Sequence, residues 1–248
     1  MQELTMQVTG DTSVGELLAM HPAARTVFEI FGIDACCGQP RSLRDACASA
    51  ALDTDEAIDL LEGRAITTAL PLFPQADAPL SELTKAIVKH HHRRARKRLI
   101  ALIQSARSLC GAHASRFPEL WRVRDQIEKL ARSLIPHMIN EERFLFPYIN
   151  TFETGSSNAA IVPLFGSVEF PLQSLRHDHS DDLQSIATLR ETTRNFKVPE
   201  GACQLFGSLY AELSDFSREI QQHVHIENDT LFPRAVEMEK RMARGSAP

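Results

Sequence analysis

The sequence predicts an all-α protein: an up-down-up-down four-helix bundle preceded by a small helical N-terminal domain. Three observations carry this. Long leucine- and alanine-rich stretches with few Val and Thr clusters favour helices over strands. Four long helical patterns follow residue 79. Charge also divides the chain, with 4 Lys/Arg against 11 Asp/Glu in residues 1–64 and 23 against 21 in residues 65–248. The near-neutral larger part argues against a nucleic-acid binder. Hydrophobic content of 43% and charged content of 24% are ordinary for a soluble globular protein.

The N-terminal domain, residues 1–64, reads as four short helices. "TSVGELLAMHP" opens with a Ser13-x-x-Glu16 capping box and stops at Pro22. "AARTVFEIFG" stops at Gly32, a good helix C-terminus. The tight "IDACCGQP" comes next, then "SLRDACASAA" and "DTDEAIDLLEGR". Some 60 residues is small for an independent core. Residues 65–79 hold three prolines and no periodicity, so they are expected to be a linker.

Residues 80–244 form the bundle. Its helices are expected at about 80–109, 118–149, 166–194, and from near Gly201 to beyond Arg234. Pro136 falls inside the second, where it removes a ladder bond and predicts a kink or a break. The "RRARKR" run at 93–98 is expected to be a solvated helix face, with docking to an acidic partner as the alternative. No basic segment followed by an apolar run opens the sequence, and no apolar stretch reaches membrane-spanning length, so a cytoplasmic protein is expected. An odd set of five cysteines fits reduced thiols. Cys47, Cys110 and Cys203 sit in helical patterns and are expected to pack, while Cys36-Cys37 is a candidate redox or metal pair or simply a tight turn.

The chemistry lies in a repeat. His-x-x-x-Glu-x-x-x-Leu-Phe-Pro occurs at His137, Glu141 and 145–147, and again 86 residues later at His223, Glu227 and 231–233. Residues i and i+4 share a helix face, so each copy aims an imidazole and a carboxylate one way. One such pair is usually a surface contact worth a few tenths of a kcal/mol. Two copies, with histidines on both other helices, outweigh that reading. From His92 to His137 is 45 residues and from His177 to His223 is 46, so two hairpins bring these four to one level of the core. Unpaired burial of such groups would be costly, and a metal pair removes the cost. Nitrogen and oxygen donors without thiolate suit iron or manganese. Glu141 and Glu227 can bridge two ions while each ion takes two histidines, leaving open positions. Leu-Phe-Pro is expected to end or cap the working part of each helix.

With these residues in hand, the chain resembles the hemerythrin-like domains, and more closely the iron-sulfur cluster repair di-iron proteins, also called repair of iron centres proteins. The matching pieces are Cys36, Cys37 and Gly38; His137, Glu141, Glu142 and "LFP"; His177-Asp178; and His223, Glu227, Asn228 and "LFPR". "HRRARKRL" fits the family's His-x-Arg-x-Arg-x-x-Leu pattern at His92, Arg94, Arg96 and Leu99, with His91 one register away as the alternative. The resemblance implies a cofactor of two non-haem iron ions, oxo- or hydroxo-bridged when oxidised. It implies His92, His137, His177 and His223 as terminal ligands, Glu141 and Glu227 as bridges, and a functional Cys36-Cys37.

It further implies restoration of iron-sulfur clusters damaged by nitric oxide or oxidative stress, by supplying iron or handling nitric oxide. Iron donation is expected over turnover of a substrate. Implied partners are damaged iron-sulfur proteins and nitric oxide or oxygen, with no nucleic acid or membrane and room for a homodimer. Two rival readings are an oxygen or nitric oxide store or sensor, and a di-iron nitric oxide or peroxide reductase.

Overall fold

The computed structural model describes residues 8–33, 41–50, 52–63, 73–154 and 166–245. The chain divides into two compact units, Met1–Thr67 and Thr68–Pro248. The described residues are helical, with no β-strand among them. No helix in this set is long and apolar enough to cross a membrane.

The first unit holds α1 (Val14–Met20), α2 (Ala24–Ile30), α3 (Leu43–Ser49) and α4 (Thr54–Glu62). The capping box at Ser13 and Glu16 forms in both directions. Ser42 and Asp53 cap α3 and α4 by accepting from the backbone N–H three residues on. Gly63 ends α4 with φ of 61°, a left-handed turn that favours glycine. Leu17, Val27, Phe28, Leu43, Cys47 and Leu60 are buried within this unit. Cys36, Cys37 and Gly38 lie outside the described residues, as does most of the 65–79 stretch.

The second unit is a bundle of four long arms. Arm one joins α5 (Leu80–Ile87), a π turn (Val88–His92) and α6 (Arg93–His113). Arm two joins α7 (Glu119–Asn140), a π turn (Glu141–Leu145) and α8 (Phe146–Thr154). Arm three is α9 (Glu169–Thr192), without interruption. Arm four joins α10 (Gln204–Ile226), a π turn (Glu227–Leu231) and α11 (Phe232–Gly245).

Pro136 does not break arm two, since α7 runs through it to Asn140. Pro136 and Arg132, whose carbonyl it leaves unbonded, both lie on the exposed face, where water can take that carbonyl. Leu-Phe-Pro does not end its helix either. Leu145 and Leu231 close the π turns, and the arms continue to Thr154 and Gly245. In both copies proline comes directly after the residue whose N–H makes the wide bond.

Two apolar layers fill the bundle. One comprises Leu80, Leu83, Ile87, Leu145, Phe146, Ile149, Leu172, Leu231 and Phe232 among others. On the far side Leu99, Ile103, Ile127, Leu134, Ile186, Phe216 and Ile220 are buried. At about 1.5–3 kcal/mol for each large aliphatic or aromatic side chain, these layers offset the cost of the polar level between them.

Each hairpin also caps itself in the same way. The Glu153 carboxylate at the end of arm two accepts the N–H groups of Leu80 and, at 3.1 Å, Ser81, which open arm one. Glu239, 86 residues on, accepts from Val168 N–H at 2.8 Å at the opening of arm three.

Candidate metal centre

The polar level lies at the three π turns. In each turn one residue is inserted and a backbone N–H donates five residues back: Arg93 to Val88, Phe146 to Glu141 and Phe232 to Glu227. His92 closes the first turn, while Glu141 and Glu227 open the other two. His137 and His223 sit one turn ahead of their glutamates on α7 and α10. His92, His137, His223, Glu141 and Glu227 are all buried, with exposures of 0% for His92, His223 and both glutamates and 5% for His137.

The sixth member differs from expectation. His177 is on the outer face of α9 with its side chain 78% exposed, beside Asp181. His179, only 1% exposed, takes the place in the core. The reason is helical phase. The buried positions of α9 are Leu172, Leu175, His179, Asp182, Ile186 and Leu189, at steps of three and four. That stripe is legible in the sequence and selects His179. Matching heights along two arms cannot separate residues two apart, whereas the face separates them by about 200°. His91, the alternative in arm one, is buried at 8% exposure but stacks against His223 at 5.7 Å instead of joining the cluster.

Within the cluster, His92 Nε2 lies 3.2 Å from His223 Nε2, and His137 Nε2 lies 3.1 Å from His179 Nε2. The glutamates run between these pairs. Glu141 Oε2 is 3.5 Å from His92 Nε2 and 3.2 Å from His137 Nε2. Glu227 Oε1 is 3.0 Å from His223 Nε2, and its Oε2 is 3.0 Å from His179 Nε2. The six residues therefore form two four-residue groups, His92-Glu141-His223-Glu227 and His137-Glu141-His179-Glu227. Both carboxylates belong to both groups.

Outer contacts orient the rings. Glu142 Oε1 lies 2.8 Å from His92 Nδ1 and also accepts from Arg96 at 2.7 Å. Asn228 Oδ1 lies 3.0 Å from His179 Nδ1. These acceptors hold the proton on Nδ1 and leave Nε2 as a lone pair facing inward. Glu142 and Asn228 are again 86 residues apart. The repeated phenylalanines do matching work, with Phe146 stacking on His92 at 5.5 Å and Phe232 on His179 at 5.8 Å.

The arginine run is only partly a solvated face. Arg96 and Arg98 are buried at 1% and 7% exposure. Arg98 donates to Glu212 at 2.6 Å and pairs with Glu219. Arg96 lies one turn after His92 on the same helix face, which turns it inward to Glu142, while Arg93 stays exposed. Cys47 and Cys110 are buried as packing residues, and burial, with Asp53 and Glu56 nearby, pushes the Cys47 thiol up to about 11.

These residues fit a pair of cations. No oxygen of Glu141 or Glu227 accepts a hydrogen bond, though all are buried. Inward-facing imidazole nitrogens surround them, so lone pairs face lone pairs unless positive charge sits between. The carboxylates favour positive charge on His92 and His137. Burial opposes it, yet Glu142, Glu227 and Glu141 hold His92 at about 8, and Glu141, Glu227 and Asp182 hold His137 at about 9. The same imidazoles, His223 first, hold Glu227 well below its ordinary range against its burial. Burial raises Asp182 to about 6. Four nitrogen and four oxygen donors without sulfur match iron or manganese.

Residues 84–235 match the family described as the hemerythrin HHE cation binding domain. The chain belongs to the hemerythrin family. Residues 10–64 match a second family, described as a domain of unknown function, DUF542. Relatives with both stretches aligned carry the name iron-sulfur cluster repair protein YtfE. That of Dickeya chrysanthemi is 32% identical over 229 residues, covering 91% of this chain and 97% of the relative. That of Pectobacterium atrosepticum is 31% identical over 226 residues with the same coverage. That of Cronobacter sakazakii is 31% identical over 230 residues, covering 93% and 98%. This hemerythrin chain is thus also a member of the iron-sulfur cluster repair family, and an iron-binding helical bundle is its family character.

Proposed function

We propose that this chain is a di-iron protein that repairs iron-sulfur clusters damaged by nitric oxide or oxidative stress. His92 and His223 would hold one ion, His137 and His179 the other, with Glu141 and Glu227 shared between them. The observation that carries this reading is the sharing: each carboxylate reaches imidazoles of both groups. When bound, a di-iron pair supplies one-electron redox chemistry and releasable ferrous iron.

The chain's own residues set the terms. Glu142 and Asn228 fix ring tautomers, Phe146 and Phe232 keep water from two rings, and the apolar layers close the level above and below. The repair role rests on the likeness to relatives named for it over 97% of their length. Damaged iron-sulfur proteins are the proposed clients and the cytoplasm the proposed compartment. Cys36 and Cys37 are proposed to act in the transfer.

Two measurements test this. Anaerobic loading with ferrous iron should give two ions per chain, and Glu141→Ala or Glu227→Ala should reduce the count. A count well below two in the parent chain overturns the metal reading. The loaded protein should then restore an enzyme whose cluster nitric oxide has destroyed, faster than equal free ferrous iron. Equal rates overturn the repair role. Rapid consumption of nitric oxide with a reductant would replace it with a reductase.

A further inference from the structure

Asp182 is fully buried on α9, one turn beyond His179. Neither of its oxygens has a hydrogen-bond partner. The polar groups around it are His137, Ser133, His179 and Asp178, and the Ser133 hydroxyl is the one neutral donor near its carboxyl. An unpartnered buried carboxyl opposes folding. Apart from His179, the buried face it shares is apolar: Leu172, Leu175, Ile186 and Leu189.

On arm two, the buried Nδ1 of His137 also lacks a partner. His92 and His179 have theirs in Glu142 and Asn228. Once Nε2 of His137 gives its lone pair to a cation, the remaining ring proton must sit on Nδ1 and needs an acceptor. Asp178 Oδ2 is 3.9 Å away, beyond hydrogen-bonding distance, and its side chain is 46% exposed.

We propose that Asp182 is a positioning carboxylate for the metal pair: it turns to accept the Nδ1 proton of His137, and its buried charge answers the charge of the ions. This rests on the metal reading of the six central residues. Two groups without partners become partners, and the cost borne by the metal-free chain is recovered on loading. A buried charge left alone is destabilising, whereas one matched to a nearby cation is not.

The test compares the parent chain with Asp182→Leu, Asp182→Asn and Asp178→Asn. Ferrous affinity is read by competition with a chromogenic chelator, and the melting temperature is read on metal-free protein. Asp182→Leu should bind ferrous iron about 10–100-fold more weakly, with a metal-free melting temperature equal to or above the parent's. Asp182→Asn should recover part of the affinity, because an amide oxygen serves His179 in the same way. Asp178→Asn should bind like the parent.

Parent-like affinity in Asp182→Leu overturns the proposal. So does a fall in the metal-free melting temperature of that variant, which would mark a structural role. Loss of affinity in Asp178→Asn alone moves the role to Asp178. If the parent chain itself fails to hold two ions, the metal reading fails and this inference with it, a result separate from a variant effect.

Discussion

His177 and His179 differ by two positions and by everything else. One is solvated beside Asp181, and the other faces Glu227 at 3.0 Å. Histidine-rich helices pose this choice repeatedly, and spacing along the chain does not resolve it. Five of the six central residues were legible from the repeat and the family pattern. The sixth needed the apolar stripe running from Leu172 to Leu189. His179→Ala should therefore abolish stoichiometric loading of at least one iron, while His177→Ala should keep two ions per chain by metal analysis. Arg96 and Arg98 were misread for a related reason. A run of charges hides its phase, and long side chains can reach inward to partners such as Glu142 and Glu219 that lie far off in sequence.

At the scale of elements, the helix positions were readable because caps and apolar periodicity are local. The π turns were not, because nothing in "VKHHH", "EERFL" or "ENDTL" announces a wide turn. They form because the assembled level needs donors brought to one point, and the helix yields to that demand. The cross-arm caps were equally hidden. Glu153 sits below its ordinary carboxylate value of 4.5; its burial works against this, and the Ser81 and Leu80 N–H groups outweigh it. A depressed value means stability that is present above about pH 4.5 and lost as pH falls through the folded value. Glu153→Gln should cost about 1 kcal/mol at neutral pH. In chemical denaturation of the metal-free protein, that gap from the parent should close under acid. An equal gap at pH 3 and pH 7 would show that Glu153 is not a charged cap.

For the whole chain, the charge changes character after residue 64, and the compact units part after Thr67. The 86-residue repeat is deeper than its five identities. It sets the shared carboxylates Glu141 and Glu227, the orienting pair Glu142 and Asn228, the stacking pair Phe146 and Phe232, and the capping pair Glu153 and Glu239. The first, third and fourth pairs are identities at this spacing; the second joins unlike residues and needed its contacts. Filling both positions should raise the melting temperature. At free metal one hundred times the dissociation constant, each ion adds about 2.7 kcal/mol, or several degrees in a chain of this size. Calorimetry with and without chelator reads this directly.

Each four-residue group draws one imidazole from arms one and two and the other from arms three and four. Neither hairpin can close a group alone. Two ions would then act as a removable cross-link between residues far apart in the chain, tying the folded bundle together where a disulfide would constrain the unfolded one. Pulled at both ends in an optical trap, the loaded bundle should yield in a single high-force rupture, and the chelated bundle at lower force, one hairpin peeling from the other.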